Sequence, residues 1–300
     1  LLDSVIGTGE KLSARIIAAQ IRQSGLRGVA IDAHDLIITN DTFGNAVPNV
    51  ELTRRRVNES LLPMLDRQII PVITGFIGGT KDGRPTTLGR GGSDFTASLM
   101  AVTAGASELW VWTDVDGIMT ADPNDIPQAR SIAELSYDEM GELAYFGAKV
   151  LHQRMVAPLK EHGIPLCIKN VYKPQQSGTW ISAKPTPQQR IKAVTRIQGI
   201  LLTTDSSGTV SQVSQLVDEA MFNSIGVHAD VMIAAQASRR SLLCYIIPTS
   251  AGPDVGRLVE LAVSARLTQS TQEDTWNVQQ ATVITAVGAD LNSSTGVIAG

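Results

Sequence analysis

The sequence predicts an α/β protein whose mostly parallel sheet carries helices on both faces, followed by a smaller ferredoxin-like unit of βαββα order. Three observations predict it. From residue 10 to about 170, amphipathic helical segments alternate with short apolar, strand-like runs. "SAKPTPQQR" (Ser182–Arg190) then breaks that alternation with two prolines among polar residues, the composition of a linker between domains. Beyond it the order becomes strand, helix, strand, strand, helix.

The elements follow in turn. "EKLSARIIAAQIRQSG" carries Ile16, Ile17 and Ile21 on one helical stripe and stops at Gly25, a residue suited to a helix C-terminus. "GVAIDA" reads as a short buried strand, "ELTRRRVNESLLPMLDR" as a second amphipathic helix interrupted at Pro63, and "QIIPVITGF" as a second strand. A glycine turn leads into a helix from Phe95 to Ala104, with Phe95 and Leu99 one turn apart; "SELWVWTDVDG" is a third strand with its turn and "IPLCIKN" a fourth. Past the linker, "IKAVTRIQGILLTTD", "VHADVMIAAQ" and "RSLLCYIIP" read as strands. "TVSQVSQLVDEAMFNSIG" and "DVGRLVELAVSARL" read as helices. "VTRIQGILLTTDSSGTVSQ" and "VITAVGADLNSSTGVIAG" share an apolar strand, a Ser-Ser pair and a Gly/Thr turn, a weak internal repeat whose second copy stops where its helix is due. The expected division is 1–182, a linker at 183–190, a ferredoxin-like unit over 191–280 and the start of a second such unit over 281–300.

Composition narrows the function. The chain has 300 residues, 43% hydrophobic and 18% charged, with a net charge of −4 and interspersed signs. Without a basic block or an aromatic ladder, a nucleic-acid partner is excluded. No apolar run approaches the ~18 residues of a membrane span. Cys167 and Cys244 both lie in apolar runs and read as buried free thiols, which suits a reducing, cytoplasmic setting. Four scattered histidines make no metal-ligand cluster, so no protein-held metal is expected. Residue 1 is Leu, and residue 300 falls inside a motif, so the sequence reads as an internal fragment.

The chemistry concentrates in "TLGRGGSDFTASLMA" (Thr87–Ala101). Glycines let a backbone approach a ligand closely, and a helix N-terminus offers unpaired N–H groups and partial positive charge. Arg90 adds a guanidinium able to grip a carboxylate or phosphate with two hydrogen bonds. Ser93 and Asp94 stand where a helix cap stands, and taken alone the stretch reads equally as a capped helix with a solvent-facing arginine. It is neither a Walker loop nor a dinucleotide fingerprint. Ligands of open α/β sheets bind beyond the carboxyl ends of strands. Thr113, Asp114 and Asp116 in "WTDVDG" occupy such an end, as nucleotide contacts or as turn caps. Lys149 in "YFGAKVLH" is able to neutralise a phosphate or to lie solvated.

Together, "GTGE", "TGFIGG", "TLGRGGSDFTA", "WTDVDGIMTADP" and "FGAKVLH" resemble, in order and spacing, the aspartate kinases, a branch of the amino-acid kinase family. The region past the linker resembles their ACT regulatory region, so the resemblance covers essentially the whole chain. It implies an amino-acid-kinase-type sheet followed by ACT units. It also implies transfer of a phosphoryl group from ATP with Mg2+ to the side-chain carboxylate of L-aspartate. The product is 4-phospho-L-aspartate, in the first step of lysine, threonine and methionine biosynthesis. By the same resemblance Glu10 holds the α-ammonium, Arg90 and Ser93 hold carboxylates, and Phe76 lines the substrate pocket. Asp94 orients an essential lysine, and Thr113, Asp114, Lys149 and Val150 contact ATP. Met119 and Asn124 stand on the nucleotide side where the family often carries an aromatic residue and an arginine, which puts ATP contacts there in question.

The family's Lys-Phe-Gly-Gly segment is absent, so the chain by itself is expected to be inactive. The resemblance further implies a homodimer or larger assembly inhibited by lysine or threonine, with Asp230 in "VHADVMI" placed to take the effector's ammonium. The chemistry suits these residues: a carboxylate of reference pKa ~3.9 is already ionised at pH 7 and needs no general base. Two other readings stay open: another carboxylate kinase of the family, and a non-catalytic amino-acid sensor.

Overall fold

Helix α1 (Leu2–Ile6) and helix α2 (Thr8–Gln23) lead into strand β1 (Gly28–Ile31). The computed structural model describes residues 2–145, 151, 153–183, 191–206, 231–236, 241–248 and 275–288, with scattered positions between 209 and 261. α2 ends as expected at Gly25, whose φ of 81° is the left-handed turn that glycine adopts freely. Its buried face differs from the expected isoleucine stripe. Ala14 and Ala18 are buried, whereas Ile16 and Ile17 are 70% and 49% exposed. The reason is close packing on β1: a Cβ at Gly28 would lie 2.7 Å from the Ala18 carbonyl oxygen. The same Cβ would lie 2.7 Å from Ile21 Cγ2, so of the expected stripe only Ile21 meets the strand, where the strand is glycine.

Strand β2 (Ile38–Thr39) precedes helix α3 (Val50–Arg56), a π-helical turn at Val57–Leu61 and helix α4 (Leu62–Asp66). Asn49 starts α3 by accepting the Leu52 N–H at 3.0 Å. Pro63 therefore interrupts the helix as expected. A proline cannot donate and its ring collides with the carbonyl four residues back, and a wider turn ahead of it relieves both problems.

Strands β3 (Ile70–Ile73), β4 (Ile77–Thr80) and β5 (Pro85–Thr87) come next, then helix α5 (Gly92–Ala104) and strand β6 (Leu109–Thr113). Strand β7 (Glu134–Ser136), helices α6 (Tyr137–Tyr145) and α7 (Gln153–His162), and strands β8 (Leu166–Asn170) and β9 (Thr179–Ser182) complete the first part. Among the described residues its strands form three small sheets, β1-β3, β2-β4-β5 and β6-β8-β9-β7. The pairings β1–β3, β2–β4, β6–β8 and β7–β9 are parallel, while β4–β5 and β8–β9 are antiparallel. The sheet is thus mostly parallel but divided, and β2, β4, β5, β7 and β9 were not foreseen. They are too short to carry a period, and β4 is Ile-Gly-Gly-Thr.

Helix α5 begins at Gly92, ahead of the expected Phe95, because Gly91 at φ 69° sets its start. It carries buried residues on all sides. Leu99 and Met100 enter a core with Leu36, Ile37, Val57 and Leu61. Ala101 and Val102 enter a second core with Leu135, Met140, Leu143, Met155 and Leu166. Its buried hydroxyls return to their own helix: Thr96 donates to the Gly92 carbonyl and Thr103 to that of Leu99, which removes the cost of burying them. Cys167 is a buried free thiol, pushed up in pKa by burial. The side chain of Cys244 lies outside the described residues.

By its contacts the chain divides into two compact units, Leu1–Ala193 with Val287–Gly300, and Val194–Ala286. Strands β10 (Ala193–Ser206), β11 (Val231–Gln236), β12 (Ser241–Pro248) and β13 (Thr275–Val287) form one sheet in the order β11-β12-β10-β13. This places the first strand in the interior, the arrangement of ferredoxin-like folds. The boundary expected at residue 281 falls inside β13. "TWNVQQATVITAV" has no glycine or proline to end a strand, so it runs unbroken from Thr275 to Val287. Described positions within the first expected helix, such as 214, 215, 218 and 219, are helical. The linker from 184 onward lies outside the described residues. Among the described residues no helix is long and apolar enough to cross a membrane.

Candidate active site

Glu10, Phe76, Gly89, Arg90, Gly91, Gly92, Ser93 and Asp94 line one open cleft of about 490 Å3. Three segments distant in sequence meet there: the first turn of α2, the β3–β4 turn and the start of α5. Every residue expected to bind the substrate is in this group, Glu10, Phe76, Arg90 and Ser93, and so is Asp94, expected to orient a lysine. Ser93 and Asp94 stand inside the first turn of α5 rather than capping it. The cap position is Gly91, which has no side chain to spend. The Gly92 N–H donates to the Gly89 carbonyl at 3.0 Å and that of Phe95 to the Gly91 carbonyl at 2.9 Å, and Gly92, Ser93 and Asp94 of this first turn line the cleft.

Phe76 is held in an unusual conformation. Its φ of 67° is rare for a residue with a side chain, and such a conformation costs of order 1–3 kcal/mol. Two hydrogen bonds impose it: its N–H donates to Thr96 Oγ1 at 3.1 Å, and its carbonyl accepts the Leu88 N–H at 2.9 Å. Glycine is required on both sides. A Cβ at Gly92 would lie 2.8 Å from the Phe76 ring, and one at Gly75 would lie 2.8 Å from Ser93 Oγ.

The sequence carried no sign of Asp3. Its side chain is 5% exposed, and Oδ2 accepts the N–H groups of Gly44 and Thr87 at 2.9 and 2.8 Å. It therefore clamps the end of β5 just before the glycine loop. A lone Asp in a short helix gives no local signal of partners 41 and 84 residues away.

Those of the expected nucleotide residues that are described, Thr113, Asp114, Met119 and Asn124, do not line this cleft. Thr113 ends β6, and its hydroxyl donates to Asp114 Oδ1 at 3.2 Å. Asn170 ends the neighbouring strand β8 and donates through Nδ2 to the Asp114 carbonyl and to Asp116 Oδ1. Lys173 pairs with Asp116 Oδ2 at 2.8 Å. The hydrogen bond from Lys173, then that from Asn170, holds the Asp116 carboxyl below its usual range. Asn170 was missed, although the carboxyl end of a parallel strand is where a ligand residue is sought. Met119 bridges to Ser131 in the loop after β6. The Asn124 amide turns back to Asp122 Oδ1 at 3.0 Å. Neither residue lines the cleft. Lys149, Val150 and Asp230 lie outside the described residues. A second cleft of about 500 Å3 runs between β3, α5 and the start of β6, and Ser93 lines both.

The fold is thus α/β, and its cleft brings together an acid, an arginine and the start of a helix. The model of the Amino acid kinase family matches residues 2–170, and the chain belongs to that family. It is 31% identical to the chloroplastic bifunctional aspartokinase/homoserine dehydrogenase 2 of Arabidopsis thaliana, over 98% of this chain and 33% of that protein. The chain thus spans about a third of that relative's length. Among solved structures it is similar to E. coli aspartokinase III in complex with aspartate and ADP (R-state). The TM-score is 0.76 and the identity 28%, over 98% of this chain and 65% of that one. The same enzyme in complex with lysine and aspartate (T-state) gives a TM-score of 0.77 at 27% identity, over 96% of this chain and 63% of that one.

Proposed function

We propose that this chain carries the amino-acid-binding part of an aspartate kinase, which transfers a phosphoryl group from ATP to the side-chain carboxylate of L-aspartate. The observation that carries the reading is the meeting of Glu10, Phe76, Arg90, Ser93 and Asp94 around one cleft. The similar E. coli enzyme, seen with aspartate and ADP, supports it. Glu10 takes the α-ammonium. Arg90, with Ser93 and the α5 N-terminus, takes carboxylate oxygens and fixes the nucleophile. Phe76 forms the wall. The nucleophilic carboxylate is already charged, so these residues act by alignment and by offsetting charge on the phosphoryl oxygens.

Asp94 orients the essential lysine, and Thr113, Asp114, Lys149 and Val150 hold the nucleotide. Among the described residues no group of three or more His, Cys, Asp or Glu side chains is placed to hold a metal ion. They do not fit a resident metal, and magnesium would travel on the nucleotide's phosphates. The unit built on β10 to β13 is the regulatory part, pairing with a second copy and binding lysine or threonine, with Asp230 as the ammonium partner. The E. coli complex with lysine and aspartate favours lysine.

The test uses the protein at its full natural length. Aspartate-dependent release of ADP and a hydroxylamine-trapped aspartyl phosphate are expected. ADP release indifferent to aspartate, with no hydroxamate formed, would overturn the proposal.

A further inference from the structure

Arg154 lies in the first turn of α7, outside the cleft and on another element. Its Nη1 donates to the Leu88 carbonyl at 2.7 Å, and its guanidinium sits 4.6 Å from the centroid of the Phe95 ring. Leu88 and Phe95 are the two residues flanking the cleft-lining stretch 89–94. One side chain therefore touches both ends of the loop that presents Arg90.

That loop has little stiffness of its own. Gly89 and Gly91 flank Arg90 at φ of 74° and 69°, and glycine has more conformations to lose than any other residue. Its fixed points are therefore the anchors. Leu88 is fully buried, with its N–H on the Phe76 carbonyl and its own carbonyl on Arg154. Phe95 closes the other end by donating its N–H to the Gly91 carbonyl at 2.9 Å. Arginine suits this double contact, because its rigid fork donates to a carbonyl while its flat face stacks on a ring. An ammonium is a point charge with no flat face to stack, so it does not reproduce this pairing.

We propose that Arg154 is a positioning residue that sets the placement of Arg90 for the amino-acid carboxylate, acting through Leu88 and Phe95 without touching substrate. This rests on the kinase reading above. The two fail separately, because one readout needs no activity. In the natural-length protein, Arg154→Ala is expected to raise the KM for aspartate about ten- to hundredfold, the scale of a small misplacement. The KM for ATP should hardly change. Arg154→Lys should recover little, and added guanidinium should restore part of the loss in the Ala variant. Hydrogen exchange should quicken over residues 88–95 of Arg154→Ala while α2 keeps its protection. An unchanged aspartate KM, or exchange that quickens equally in α2, would overturn the proposal. If the parent makes no aspartyl phosphate, the kinase reading fails, and faster exchange confined to residues 88–95 still supports the anchoring role. Unchanged exchange there refutes it.

Discussion

Lys192 Nζ lies 2.9 Å from Glu139 Oε2, and both side chains are 6% exposed. The pair joins the start of α6 to the segment that leads into β10. Glu139 also accepts the Ser136 N–H at 2.7 Å while its own N–H donates to Ser136 Oγ at 3.1 Å, a capping box. Lys192 further donates to the Glu134 carbonyl, and its backbone N–H donates to that of Val287.

Removing one partner strands a buried charge. Lys192→Met is expected to cost about 3–5 kcal/mol in denaturant unfolding, because Glu139 is then buried without its cation. Adding Glu139→Gln should recover much of that loss. An additive or worse double variant would show that the pair is not what holds this junction.

Arg90→Ala in the natural-length protein is expected to cost about 2–5 kcal/mol in kcat/KM for aspartate, as for a charge pair desolvated on binding. Arg90→Lys should restore little, since two-point recognition is lost. Near-normal turnover of Arg90→Ala at low aspartate would remove Arg90 from the carboxylate site.

Gly92→Ala places a methyl group 2.8 Å from the Phe76 ring and 3.1 Å from Leu88 Cβ. Such overpacking costs about 1–3 kcal/mol, and here it also displaces a wall of the cleft. The expected result is a lower melting temperature and a weaker aspartate KM together. A stable variant with unaltered KM would place Phe76 outside the substrate pocket.

Asp32 receives Arg15 Nη1 at 2.9 Å and Lys11 Nζ at 3.3 Å. Burial alone would raise its pKa, but the hydrogen bonds and charges of Arg15 and Lys11 together outweigh it and lower the folded value. A carboxyl lowered on folding stabilises the protein above its unfolded pKa of ~3.9, and the contribution fades as pH falls through the folded value. Asp32→Asn should therefore lower the melting temperature at pH 7 and make progressively less difference below about pH 4. A gap that is constant with pH would assign the effect to packing.

What could be read along the chain was whatever neighbouring residues decide between themselves. The stop of α2 at Gly25, the break at Pro63 and the apolar runs of β1, β3, β6 and β8 are local. So are the glycine turn and arginine that mark the cleft, because their φ angles and charges need no distant partner to be recognised. Tertiary structure decided the rest. The strands β2, β4, β5, β7 and β9 exist because a neighbour pairs with them, and the approach of β1 at Gly28 to Ala18 and Ile21 decides which face of α2 is turned inward. Asp3 and Arg154 reach Thr87 and Leu88 across 84 and 66 residues. A hydrogen bond depends on separation in space, and no periodicity within the chain encodes a contact that only the folded backbone brings within ~3 Å.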